Sequence, residues 1–81
     1  MPRADKTLDR MRGNPRDWRI GRLEAVAAAH GINVRKPGGS HVVFEHPAVS
    51  EAVSVPACRP IKPVYIRRFV ALIDAVRAAD E

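Results

Sequence analysis

Lys36-Pro37-Gly38-Gly39-Ser40-His41-Val42-Val43-Phe44-Glu45-His46 holds the strongest turn signal in the chain and begins its clearest strand. Proline at 37 sets φ for the second position of a type I or II turn, and Gly38 supplies the positive φ that type II needs next. His41 then opens a strand in which Val42 and Phe44 share one face and His41, Val43 and Glu45 the other. Histidine is also the side chain whose ordinary pKa lies nearest neutrality, so the residue that opens the strand is the first candidate for proton transfer.

Working back from the turn, Ile32-Asn33-Val34-Arg35 alternates as a half-buried strand does. Before it, residues 18–30 carry Leu23, Val26 and Ala27 on one helical stripe with Ile20 beside it, and Gly31 is placed to cap the helix. Asn14-Pro15-Arg16-Asp17 has the composition of a helix start, with Asn14 as N-cap and Pro15 at the first helical position; a helix beginning later is the alternative. Further back, Leu8 and Met11 are the only apolar anchors before Gly13, which points to a frayed turn or a docking arm.

Working forward, Pro47 ends the second strand and Ala52-Val53-Ser54-Val55 alternates as a third, stopping at Pro56. Short connections make an antiparallel meander the economical topology. Pro63 starts a last helix that runs to about Ala79, with Tyr65, Phe69, Leu72, Ile73 and Val76 forming its apolar stripe. The expected class is α+β: a small two-layer sandwich in α-β-β-β-α order, its three-stranded antiparallel sheet covered by two helices on one face. The division is a basic N-terminal extension, 1–19, and a domain, 20–81.

At 81 residues the chain is one small domain. No apolar run approaches the ~20 residues of a membrane span, and no signal-peptide core follows the N-terminus, so the expected location is cytoplasmic. The one cysteine, Cys58, has no partner for a disulfide or a zinc pair. Fourteen Lys plus Arg, eleven of them arginine, stand against nine Asp plus Glu, a balance that suits an anionic partner. Between Glu51 and Asp74 there is no acidic residue, while Arg59, Lys62, Arg67 and Arg68 gather around the start of the last helix. A second group, Arg16, Arg19 and Arg22, surrounds the start of the first long helix. Such spacing fits phosphate binding and equally fits a solvated basic rim.

His41 is read against the commoner case of a hydrogen-bonded structural histidine; strand parity turns it away from the core face and leaves it available to a ligand. His46 and His30 read as structural. His41 and His46 differ in parity and no other side chain completes a metal shell, so neither metal nor cofactor is expected. Gly38-Gly39 lacks the lysine and hydroxyl of a P-loop.

Taken together, the Gly39-Ser40-His41 turn with Val42-Val43-Phe44, the His46-Pro47 exit, Val53-Ser54-Val55-Pro56 and Ile61-Lys62-Pro63-Val64-Tyr65-Ile66-Arg67-Arg68 resemble HicA-type toxins of bacterial toxin-antitoxin systems over residues 20–75. The resemblance implies a double-stranded-RNA-binding-domain-like fold and metal-independent cleavage of mRNA, with the histidine of the Gly-Ser-His turn, His41, as the catalytic residue. It further implies a HicB-type antitoxin as protein partner. Lys36, Arg59, Lys62, Arg67 and Arg68 are the expected RNA contacts. A non-catalytic RNA-binding module, and an interaction domain using Trp18 and its helix stripe, are the alternatives.

Overall fold

A computed structural model of the chain describes residues 3–36, 40–57 and 61–79. Its elements are α1 (Arg3–Gly13), α2 (Ile20–Ala29), β1 (Asn33–Arg35), β2 (His41–His46), β3 (Val49–Pro56) and α3 (Pro63–Ala79). The strands form one antiparallel sheet in the order β1-β2-β3, so the fold is α+β with three helices.

Leu23, Val26 and Ala27 are the buried face of α2, as their spacing predicts. The helix closes on Gly31 at φ 70°: Ile32 N donates to Ala27 O at 2.9 Å and Gly31 N to Ala28 O at 3.3 Å. This pairing satisfies carbonyls that a helix end leaves orphaned, and it drops Ile32 into the core. β1 follows as a short edge strand. Its Val34 lies opposite Phe44 but stays 37% exposed, because no strand covers it on the outer side.

β2 and β3 are joined by the two residues Pro47 and Ala48. Val42 and Phe44 of β2 and Val55 of β3 are buried, and Phe44 meets Phe69 of α3 edge to face at 4.9 Å between ring centroids. β3 begins at Val49 rather than Ala52. A register irregularity between Phe44 and His46 lets Ser50 and Glu51 join the strand with both side chains exposed, which breaks the alternation there.

α2 packs on β1 and α3 on β3, and α1 packs on both α2 and α3. The expected frayed turn or arm is thus a helix of eleven residues whose Leu8 and Met11 are fully buried. The helix it packs on, α3, buries Ile66 and Val70 in addition to Phe69, Leu72, Ile73 and Val76. Arg12 fastens the pair from outside: Nη1 donates to Asp74 Oδ2 at 2.6 Å and Nη2 to Oδ1. Donating to the Asp74 carboxylate raises the Arg12 pKa above its ordinary value, with burial opposing it. Leu8, Met11 and Trp18 share one continuous core with the residues beyond position 20.

The connection 14–19 is folded rather than helical. Asn14 Oδ1 accepts from Arg16 N at 3.3 Å, a side-chain turn in place of the expected N-cap, and Asp17 takes a positive φ of 64°. α2 starts six residues after Asn14, and its N-cap residue, Arg19, makes no side-chain cap.

Candidate nucleic-acid interface

β2 positions His41. Because Val42 and Phe44 must point into the core, alternation places His41 on the opposite, uncovered face of the sheet, where it is exposed. It pairs with Pro56, the last residue of β3, and the ladder extends one step further through Ala57 N donating to Ser40 O at 2.6 Å. Among the described residues, the other near neighbours on that face are Val43 and Ser54, and neither is an acid or a base. The turn at 37–39 lies outside the described residues.

His46 has a different task. Its Nδ1 accepts from Ala48 N at 3.0 Å and so closes the β2–β3 hairpin. His30 is the C-cap residue of α2. His46 thus holds a local turn through its side chain, and His30 closes α2 through its backbone N–H.

Three element starts and one element end meet near His41. Residue 57 is bonded to Ser40, and four residues later Ile61 N donates to Trp18 O at 3.1 Å. Four links of 3.80 Å hold those two anchor points within about 15 Å of each other. The starts of α2, β2 and α3 and the end of β3 therefore lie at one end of the molecule. Lys62 and Lys36, both exposed, belong to this end. Lys36 is engaged: its Nζ lies 2.7 Å from Glu24 Oε1 on α2. Lys36 is exposed and Glu24 half-buried, and ion pairs at the surface contribute only about 0–1 kcal/mol. Arg59 lies outside the described residues.

Arg67 and Arg68 are exposed on the second turn of α3. Arg68 stands over the Tyr65 ring at 6.0 Å and lines a groove between α3 and the outer edge of β3, together with Ser54, Ala71 and Ala75. That groove runs along the β3 edge, so Arg68 is not gathered with Lys36 and Lys62.

A feature that the residue pattern showed only in outline is a cleft of about 590 Å³ between α1 and α2, lined by Arg10, Arg16, Arg19 and Arg22 with Trp18 and Asp17. Trp18 is buried, its Nε1 donates to Asn14 O at 2.6 Å, and Arg10 lies 5.9 Å from its ring centroid. Arg10 belongs to the cleft only because α1 is packed; its sequence distance from Arg22 hid it.

Among the described residues no three His, Cys, Asp or Glu side chains gather where they could hold a metal ion, and no helix is long and apolar enough to cross a membrane. Comparison with protein families, with curated proteins and with solved structures finds no match.

Proposed function

We propose that the protein is a HicA-type toxin, an endoribonuclease that cleaves mRNA without a metal, with His41 as its catalytic residue and a HicB-type antitoxin as its partner in the cytoplasm. The domain would then be a variant of the double-stranded-RNA-binding-domain-like fold with one added helix. The observation that carries this reading is the exposure of His41 on the open sheet face, at the end of the molecule where Lys36 and Lys62 also stand.

In this mechanism His41 takes the proton of a ribose 2′-hydroxyl, or gives one to the leaving 5′-oxygen, as the adjacent phosphodiester is attacked. Lys36, Arg59 and Lys62 stabilise the charge that develops on the phosphoryl oxygens. Arg67 and Arg68 hold the strand further along the surface. A second reading, a binding module that does not cleave, draws on Pro56, Val43 and Ser54, the neighbours of His41 among the described residues, none of which could serve as the second group that two-step proton chemistry uses.

Purified protein is incubated with mRNA in chelator. Cleavage is expected from the wild type, and His41→Ala is expected to slow it by about 10²- to 10⁴-fold, the range of positioned acid-base catalysis. Cleavage by the variant at the wild-type rate would refute the catalytic assignment. Tight, salt-sensitive RNA binding by a wild type that leaves the RNA whole would favour the module.

A further inference from the structure

We infer that the cleft between α1 and α2 is a second RNA site, in which Arg10, Arg16, Arg19 and Arg22 hold phosphates of the same strand that lies at His41. The inference rests on the RNA reading above and adds to it a place where the strand is anchored away from the bond being cut.

Charge is the first argument. Of the acidic side chains on the described surface, Asp74 and Asp9 pair with Arg12, Glu45 with Arg35 and Glu24 with Lys36, while Glu51 lines the groove beside α3. None of the four cleft arginines has a carboxylate partner among the described residues, and Asp17 is the one acid in the lining. Glu24 sits on α2 only two positions from Arg22, yet it pairs with Lys36. Four guanidinium groups around one concavity repel each other, and an anion relieves that repulsion. Each guanidinium can bond two phosphate oxygens at once, which suits a phosphodiester better than an isolated charge does.

Shape is the second. The cleft floor is built: Trp18 is buried, bonded to Asn14 O, and covered by Arg10. A rigid floor means that little ordering is needed when a ligand arrives. Place is the third. Trp18 O is held by Ile61 N, and residue 57 by Ser40, so the cleft and His41 lie on either side of one short connection. A strand crossing that connection also passes Lys62. The Trp18 ring itself is closed to base stacking, so the site reads backbone and is indifferent to sequence.

The test uses the full chain carrying His41→Ala, so that RNA survives titration, and follows fluorescence anisotropy of a labelled single-stranded RNA dodecamer across a salt series. Adding Arg16→Ala, Arg19→Ala and Arg22→Ala is expected to make log K against log salt shallower by about 2, at about 0.7 per phosphate released. At 0.1 M salt that slope corresponds to about a hundredfold weaker binding. The matching triple lysine variant keeps the charges and is expected to restore the slope, which a purely structural role would not do. A trinucleotide, too short to reach both places, is expected to bind the parent more weakly and with a shallower salt slope than the dodecamer does. An alanine triple with the parent slope on the dodecamer overturns this inference and leaves the RNA reading standing. A dodecamer that does not bind the parent at all overturns both. Stabilisation of the parent by inorganic phosphate equal to that by the dodecamer assigns the cleft to a small anion and overturns it as well.

Discussion

Leu8→Ala is the most direct probe of α1. Leu8 is 0% exposed although it lies in a segment with only two apolar anchors, and it packs where α1 meets α2 and α3. Cutting a fully buried leucine to alanine removes its transfer free energy and leaves a cavity, together about 2–5 kcal/mol. Total stability for a chain of 81 residues is about 4–12 kcal/mol at 0.05–0.15 per residue, so a loss near 3 is a large fraction of it. The melting temperature is expected to fall by about 12–24 °C, at about 4–8 °C per kcal/mol for a domain of this size. Urea unfolding is followed by far-UV circular dichroism and by the fluorescence of Trp18, the chain's one tryptophan. Lys6→Ala, exposed on the same helix, is the control and is expected to stay within about 0.5 kcal/mol of wild type. The reasoning fails if Leu8→Ala matches that control, or if Trp18 reports an early transition while the rest of the chain melts unchanged.

The glycines give a paired prediction: at Gly21, exposed in α2 with open space where a Cβ would stand, alanine is expected to stabilise by about 0.5–1 kcal/mol. At Gly31, also in open space but at φ +70°, alanine is expected to destabilise by about 1–2 kcal/mol, and thermal melts distinguish the two signs. For Arg12 and Asp74, a double-mutant cycle to alanine is expected to return a coupling of about 0.5–1 kcal/mol that shrinks in high salt, because both side chains are roughly half exposed; a coupling above 2 would contradict that.

What could be read from residues alone was whatever local chemistry decides. Pro63 and the stripe after it mark α3, which does run from Pro63 to Ala79. Gly31 ends α2 because only its backbone freedom allows that turn, and the parity of Val42 and Phe44 puts His41 on the open face. Features settled by contacts between distant segments were not legible. Leu8 and Met11 look too few to hold a helix by themselves, and both are buried only because α1 packs on α2 and α3 and joins the one core. Asn14-Pro15 carries the composition of a helix start, but Trp18 is drawn into the core first and postpones the helix to Ile20. Ser50 and Glu51 interrupt the alternation of β3 because an outer edge strand beside an irregular register leaves them in solvent. Lys36 is an expected RNA contact, and nothing in its sequence neighbourhood shows that the fold brings Glu24 beside it.

The connection at 57–61 is pinned at its first residue to the strand that carries His41 and at its last to the loop that carries the arginine cleft. If RNA lies as proposed, the number of residues between those two bonds limits how far a phosphate held in the cleft can stand from the phosphodiester beside His41. Inserting residues there is expected to move the cut along the RNA while leaving both bonds intact.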